Sequence, residues 1–331
     1  MRKEALFIFL VVAVLSSLCI NCGGADLNRA AQATPSSGDL SGVLTSLQSL
    51  ADAPFEAAST EHFTIIHEVG SNTAATGRAL ESTYHRFYDV FAKAGFRLSP
   101  SADHLVWICF PQQSGFNKYA LQAEGMDLSW LDGYYSTLTN RVAVVQPDVQ
   151  VAEEEPVSPP RMGDIRITLA ANRQSEKVLP MSPPGHCFDV TRLTHELAHQ
   201  LAFNSGIQKR GVMYPIWVSE GLATNFECDG LTTASVLPSN AARRSSLATA
   251  YAAGELVPLR QFIVQTRVSA DIETSRARYA QAWAFFRFLL TEYPTNLRTY
   301  LQREADLPGG RRDANVILSR FAEAFGSPES L

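Results

Sequence analysis

Cysteine, long runs of Lys or Arg, and hydrophobic runs of membrane-spanning length are scarce or missing in this sequence. The chain has 331 residues, 5 cysteines and a formal net charge of −5. Mild acidity without a basic stripe argues against nucleic acid as a partner. The charge-free apolar run at residues 5–20 is shorter than the roughly 20 residues that cross a bilayer, which argues against a retained membrane span.

The N-terminus instead has the pattern of a signal peptide over residues 1–25. Arg2 and Lys3 form a basic start, the apolar run follows, and small residues end the segment. We therefore expect export to the periplasm or to the outside of the cell. Cys19 and Cys22 end the apolar run, so anchoring as a lipoprotein stays open beside cleavage and secretion. Membrane contact is expected only through such an N-terminal anchor.

The segment HELAHQLAFNSG, residues 195–206, carries the strongest chemical pattern. A leucine stripe with i, i+4, i+8 spacing, a plausible N-cap at Asp189 and the closing Asn-Ser-Gly predict a half-buried helix. On this helix His195 and His199 project from one face and can reach one metal ion, with the carboxylate of Glu196 beside them. The competing interpretation is that the histidines only cap or pack.

A second segment, WVSEGLATNFE at residues 217–227, offers a third ligand. If its helix packs across the histidine helix, Glu220 can reach the same ion. Two imidazoles, one carboxylate and an open fourth position are the ligand set of a catalytic Zn²⁺ site. We therefore expect one zinc ion, with Glu196 acting as the general base of a hydrolase.

Together these two segments resemble the gluzincin clan of metallopeptidases, in which a Trp-x-Asn-Glu-Gly-x-Ala segment bearing the glutamate ligand follows the histidine helix. The resemblance implies a zincin-like fold, zinc bound by His195, His199 and Glu220, and Glu196 as the general base in peptide hydrolysis. It extends to a family of exported bacterial proteins of unknown function with a peptidase-MA-like domain. That likeness would cover residues 60–326.

Two positions depart from the pattern of the clan. Ser219 stands where many members have Asn. Thr224 stands where the thermolysin branch has a carboxylate that orients a histidine ligand. Glu227 matches a glutamate seven positions beyond the ligand in the aminopeptidase branch, and we expect Glu227 to orient a histidine ligand here.

A third segment, RYAQAWAFFRFLL at residues 278–290, is similar to the Tyr-x-x-Gly/Ala-x-x-Leu helix start of the clan. The resemblance implies that Tyr279 faces the metal and donates a hydrogen bond to the oxyanion of the tetrahedral intermediate. The alternative is an aromatic residue on a packed helix, because Trp283, Phe286 and Leu290 continue an apolar stripe from it.

The expected function is an endopeptidase that acts on peptides or proteins. The aminopeptidase branch has an upstream Gly-x-Met-Glu-Asn strand that holds the free amine of the substrate, and this sequence has no such segment. The alternative from a different class is a cell-envelope binding or structural module that holds zinc without turnover. Glu196 and Tyr279 beside three ligands favour the enzyme, because a structural zinc site needs no base.

The expected fold class is α+β, with a mixed N-terminal sheet carrying a helix, the active-site helix, and a mostly helical C-terminal half. Residues 26–58, rich in Ala, Ser, Gly and Thr, are expected to be a flexible tether. Residues 59–188 are expected to form an α/β subdomain with a Pro-rich, partly acidic insertion at 148–186. Residues 189–331 are expected to form a helical catalytic subdomain.

Apolar periodicity predicts the elements of the N-terminal subdomain. HFTIIHEV at 62–69 and HLVWICF at 104–110 are expected to be strands, with an amphipathic helix at 76–95 between them. GYYSTLTNRVAVVQ at 133–146 is expected to form a pair of strands. By analogy with the clan, RVAVVQ at 141–146 is the expected edge strand along which an extended substrate lies.

Three cysteines, Cys109, Cys187 and Cys228, remain after the predicted signal peptide. Cys187 precedes the histidine helix and Cys228 follows the glutamate helix, so an exported protein could join them by a disulfide. Cys109, inside an apolar run, is expected to be a buried core thiol. Arg243 and Arg244 are expected to lie on a solvated helix face.

Overall fold

The computed structural model describes residues 40–50, 54–146, 190–228, 236–267 and 272–331. The predicted signal peptide, the predicted insertion and Cys187 lie outside these ranges. Within the ranges, no helix is both long enough and apolar enough to span a bilayer.

A mixed five-stranded sheet with the strand order β1-β2-β3-β5-β4 forms the base of the N-terminal half. The strands are β1 (Phe55–Ser59), β2 (Phe63–Glu68), β3 (Leu105–Phe110), β4 (Gly133–Ser136) and β5 (Arg141–Val145). β2, β3 and β5 run parallel, whereas β1 and β4 pair antiparallel with their neighbours at the two edges. The strands expected at 62–69, 104–110 and 133–146 are therefore confirmed.

The second edge of the sheet is β4, and the prediction that residues 141–146 form the edge strand is wrong. β5 pairs with β3 on one side and with β4 on the other. The turn before β5, where Asn140 has a φ of 57°, folds the chain back so that β4 lies outside β5. Both strands are apolar, so their composition does not reveal which of them pairs with β3.

Helices cover the sheet and make up most of the remaining described chain. They are α1 (Leu40–Leu50), α2 (Ala74–Lys93), α3 (Gln113–Glu124), α4 (Val190–Asn204), α5 (Ile216–Thr224), α6 (Ala241–Ala252), α7 (Leu259–Phe262), α8 (Ile272–Glu292), α9 (Pro294–Ala305) and α10 (Ala314–Phe325). The fold class is α+β with a helical C-terminal half, as predicted. Helix α4 ends before Gly206, whose φ of 85° is the left-handed conformation that closes many helices.

Part of the segment expected to be a tether is folded. Within residues 26–58, α1 and most of β1 are formed, and Val43, Leu47 and Phe55 are buried in one apolar cluster with the sheet. Small residues dominate the composition of this segment. A few correctly spaced apolar side chains are nevertheless enough to dock it, because burial of each one stabilises the contact.

Strand β3 shows that the sheet is buried on both faces. Leu105, Trp107 and Cys109 point into a core shared with α2, α4, α5 and α8, whereas Val106 and Ile108 point toward α1 and α3. Parallel strands covered on both faces have continuous apolar sequences, which explains LVWICF. Cys109 is a buried core thiol as predicted, and burial raises its pKa to about 12. The core that contains Leu105, Trp107 and Cys109 joins the sheet to the C-terminal helices.

Gly221 allows α5 and α8 to pack at close range. A Cβ atom on Gly221 would lie 2.6 Å from the carbonyl oxygen of Ala282 and 2.9 Å from Cβ of Phe286. Real side chains do not tolerate such separations. The close packing matters for the site, because α5 carries Glu220 and α8 carries Tyr279.

Gly221→Ala is therefore expected to lower the free energy of unfolding by about 1–2 kcal/mol. Overpacking costs about 1–3 kcal/mol or more, whereas the helix preference of Ala over Gly stabilises by only about 1 kcal/mol. Gly115→Ala on α3 is the control, since its added Cβ would lie 3.3 Å from the ring edge of Phe110. Urea unfolding measures both variants, and equal midpoints would contradict the close packing of α5 and α8.

Candidate metal centre

Helices α4 and α5 bring three metal-ligating side chains together. His195 and His199 lie one turn apart on α4, and their Nε2 atoms are 3.2 Å apart. Oε2 of Glu220, on α5, lies 3.4 Å from Nε2 of His195 and 3.6 Å from Nε2 of His199. The three side chains are buried, and the group could hold a metal ion.

The surroundings of Glu220 fit a bound cation. Both oxygens of its carboxylate are buried, and neither has a hydrogen-bond partner of normal geometry among the described residues, although Oε2 faces both imidazoles. Burying a carboxylate without donors is costly, so such a group needs another positive partner. Ligand atoms placed tetrahedrally about 2.0–2.1 Å from Zn²⁺ would lie about 3.3–3.4 Å apart. That separation is close to the three observed between the ligand atoms.

The buried charges also favour a dication. The carboxylates of Glu196, Glu220 and Glu227 share the centre with the guanidinium of Arg243, so with both imidazoles neutral and the carboxylates ionised the negative charges of these groups exceed the positive charge by two. Burial alone would lower the pKa of His195, but Glu220 and Glu227 outweigh it and raise that pKa to about 10. A metal ion would take the place of this proton, so metal binding is expected to release protons.

Glu227 contacts Nδ1 of His195, the ring nitrogen that does not face Glu220 and His199. Its Oε1 lies 3.0 Å from Nδ1 of His195, the contact expected of a residue that orients a histidine ligand. Burial would raise the pKa of Glu227, but Arg243 and His195 outweigh it and lower that pKa to about 2. Thr224 instead donates a hydrogen bond from Oγ1 to the main-chain oxygen of Glu220 at 2.6 Å. The structure thus places Glu227, and not Thr224, against a histidine.

Arg243 packs next to Glu227, and the prediction that it lies on a solvated face is wrong. Its Nε and Nη2 donate to the two oxygens of Glu227 at 2.8 and 2.6 Å. Asn240 adds a third hydrogen bond, from Nδ2 to Oε2 of Glu227 at 2.8 Å. The guanidinium carbon of Arg243 also lies 5.4 Å from the ring centroid of Tyr279. Arg243 therefore contacts both Glu227 and Tyr279, and the sequence did not predict this role.

Arg243→Gln is expected to weaken Zn²⁺ binding about 10–100-fold. This is the usual effect of losing a residue that supports a metal ligand without contacting the metal itself. Glutamine loses the charge and the paired hydrogen bonds, so Glu227 would hold His195 less firmly. Arg244→Gln, at the exposed neighbouring position, is the control and is expected to match wild type. Competition with a chromophoric chelator measures the affinities. Equal affinity in the two variants would show that Arg243 does not act through Glu227.

The two carboxylate oxygens of Glu196 differ in their hydrogen bonding. Oε2 accepts a hydrogen bond from the main-chain N–H of Tyr135, on β4, at 2.9 Å. Oε1 has no hydrogen-bond partner among the residues described. Burial is the largest influence on Glu196 and raises its pKa. A carboxyl with a raised pKa is better able to accept and return a proton near neutral pH.

Tyr279 is buried on α8 near the same centre. Burial, followed by the negative charge of Glu220, raises the pKa of Tyr279 well above its usual value. Its hydroxyl therefore remains protonated and can donate a hydrogen bond. The same helix buries Trp283, Phe286 and Leu290, as the packing interpretation of this segment expects. Tyr279 can therefore pack in the core through its ring and still donate a hydrogen bond from its hydroxyl.

A polar network that the sequence did not predict ties α4 to the sheet. Gln200 accepts a hydrogen bond from Nε1 of Trp107 at 2.8 Å and donates to the main-chain oxygen of Asn140 at 3.2 Å. The hydroxyl of Tyr135 donates to Oδ1 of Asn140 at 2.9 Å. Because the main chain of Tyr135 also binds Glu196, the network positions Glu196 relative to β4.

Cys228 is buried just after α5, with Sγ 3.9 Å from Oγ1 of Thr194. The cysteine expected to pair with it, Cys187, lies outside the described ranges. The disulfide therefore stays a prediction.

The candidate metal centre lies in the part of the chain that matches a protein-family model. A comparison with curated proteins finds no match. His195, His199, Glu220, Glu227 and Tyr279 all lie within residues 189–308, the segment that is similar to a family described as "Protein of unknown function (DUF1570)".

Proposed function

We propose that this protein is an exported, zinc-dependent metallopeptidase with a zincin-like fold. The convergence of His195, His199 and Glu220, at separations of 3.2 to 3.6 Å and beside Glu196, carries the proposal. The environment of Glu220 supports it further, because a metal ion bound by Glu220 and both imidazoles would supply the positive partner that this buried carboxylate needs.

Zinc is the proposed ion because two imidazoles and one carboxylate match its ligand preferences. Mg²⁺ and Ca²⁺ prefer oxygen ligands only. Three protein ligands would also leave one coordination position open to water or substrate, as in catalytic zinc sites. When bound, Zn²⁺ supplies positive charge that acidifies a coordinated water and polarises the substrate carbonyl.

Glu196 is the proposed general base. Its Oε1 takes a proton from the attacking water, while the N–H of Tyr135 holds Oε2 in place. The same carboxyl then returns the proton to the leaving amine. Burial supports both steps, since it raises the pKa of Glu196 toward the range in which one group can accept and donate.

Tyr279 is the proposed hydrogen-bond donor to the carbonyl oxygen that becomes negative during the attack. A donor in this role must be protonated, and burial with the nearby charge of Glu220 keeps the Tyr279 hydroxyl in that form. Arg243 packs over the ring of Tyr279 and limits the movement of that ring.

The proposed substrate is an extended peptide or protein segment, cut internally. β4 is the edge strand, and its Tyr135 contacts Glu196, so β4 is the strand to which an extended chain could add near the base. The absence of a Gly-x-Met-Glu-Asn segment for a free amine supports an endopeptidase over an aminopeptidase.

A non-catalytic, zinc-holding module of the cell envelope is the second candidate. Burial favours this alternative, since Glu196 is 1% exposed and Tyr279 is 3% exposed. A peptidase must admit its substrate to both groups, whereas a structural metal centre has no such need. The two candidates therefore agree about the metal and differ about turnover.

Metal content and peptide cleavage, measured on one preparation of the full-length protein, test the proposal. We expect about one tightly bound zinc per chain by elemental analysis, as for a single catalytic site. We also expect cleavage inside the peptides of a mixed library, inhibition by 1,10-phenanthroline and recovery after Zn²⁺ is added. Zinc without cleavage of any library would favour the second candidate. A protein that binds no zinc would contradict both.

A further inference from the structure

A second cluster of metal-ligating side chains lies where the β1–β2 turn meets α2. Glu61 and His62 precede β2, and Glu81 and His85 lie one turn apart on α2. One potential ligand atom from each of the four residues lies within 4.8 Å of those of the others. The cluster shares no residue with the α4–α5 centre.

His62 is held in a defined orientation within the cluster. Oε2 of Glu81 lies 2.7 Å from its Nδ1, and Oε1 of Glu81 accepts a hydrogen bond from its main-chain N–H at 2.9 Å. The imidazole also stacks on the ring of Tyr84, with ring centroids 3.7 Å apart and planes inclined by 21°. A carboxylate at Nδ1 favours the tautomer that carries its proton there, which leaves the Nε2 lone pair available.

Two further potential ligands lie near the imidazole of His62. Oε1 of Glu61 is 3.9 Å from its Nε2, and the ring of His85 stands edge-on to the ring of His62 with centroids 5.6 Å apart. The side chain of Glu61 is 74% exposed and can adjust its position at little cost. This arrangement is typical of protein metal sites, where a carboxylate orients a histidine ligand. Here Glu81 orients His62, and Glu61 and His85 lie nearby as further potential ligands.

We propose that this cluster is a second metal site, which binds a divalent transition-metal ion through His62, His85 and Glu61, with Glu81 orienting His62. Two imidazole donors favour Zn²⁺, Cu²⁺ or Ni²⁺ over Mg²⁺ and Ca²⁺. The donors are partly exposed, so water completes the coordination, and the site binds more weakly than the buried centre. A bound ion would link the β1–β2 turn to α2.

Calorimetric titration of the full-length, chelator-stripped protein with Zn²⁺ tests this site. Wild type is expected to bind one ion tightly and a second one more weakly. His85→Ala and Glu61→Ala are each expected to weaken the second ion at least about 10-fold. His104→Ala, at an exposed histidine just before β3, is the matched control and is expected to bind as wild type does.

Glu220→Ala separates this site from the proposed function. That variant is expected to lose the tight ion and keep the weaker one, and this outcome supports the second site even if no peptide is cleaved. If His85→Ala binds every Zn²⁺ ion as tightly as His104→Ala does, the proposal is overturned. The cluster is then only a set of hydrogen-bonded surface side chains.

Discussion

Glu196→Gln is expected to lower the rate of peptide cleavage by about 10²–10⁴-fold, the usual contribution of a positioned general base. Glutamine has nearly the same shape as glutamate, and its amide oxygen can still accept the hydrogen bond from Tyr135. It cannot take a proton from water. Zinc content is expected to be unchanged, because Glu196 is not one of the proposed ligands. Initial rates and elemental analysis on the same sample measure both effects.

Glu304→Gln is the matched control for this substitution. Glu304 is also a buried glutamate, but it lies on α9, outside the metal centre. The control is expected to cleave peptides at the wild-type rate. If Glu196→Gln and Glu304→Gln retain similar activity, Glu196 is not the base, and the mechanism proposed for this centre is wrong.

Glu220→Ala is expected to lower the affinity for zinc by more than the roughly 10–100-fold that follows loss of an outer partner. The substitution removes one of three proposed ligands and leaves His195 and His199 alone at the centre. Cleavage should be lost together with the metal, and a large excess of Zn²⁺ should restore part of it. Competition with a chromophoric chelator gives the affinity.

Ser219→Ala is the control for the substitution at Glu220, since Ser219 is the preceding residue of the same buried helix. It should bind zinc as tightly as wild type. Unchanged zinc affinity in Glu220→Ala would mean that another residue is the third ligand. The burial of the Glu220 carboxylate beside His195 and His199 would then need a different explanation.

Many elements could be predicted because their signals are local. The strands expected at 62–69 and 104–110 are formed, as is the helix expected at 76–95, because apolar side chains recur with the period of each element. The i, i+4 spacing of His195 and His199 similarly brings their nitrogens together on any α-helix. These predictions needed no knowledge of how distant segments pack.

The wrong predictions depend on contacts between distant segments. Residues 141–146 were expected at the edge of the sheet, yet β5 lies inside, because its pairing with β3 is a long-range choice. Residues 26–58 have the composition of a tether, yet the sheet provides an apolar surface for α1. Arg243 shares a face of α6 with the buried Ala250, seven positions on, and this helical spacing was the signal that could have placed it.

The sequence by itself determined that His195, Glu196 and His199 lie close together on α4, and it determined the local helices and strands. Helix periodicity determines such relations within a single segment. Only the tertiary structure decided that Glu220 reaches the same centre, that Glu227 contacts His195, and that Arg243 contacts Glu227. These contacts join separate helices, and their distances depend on how the helices pack, which no spacing along the chain specifies.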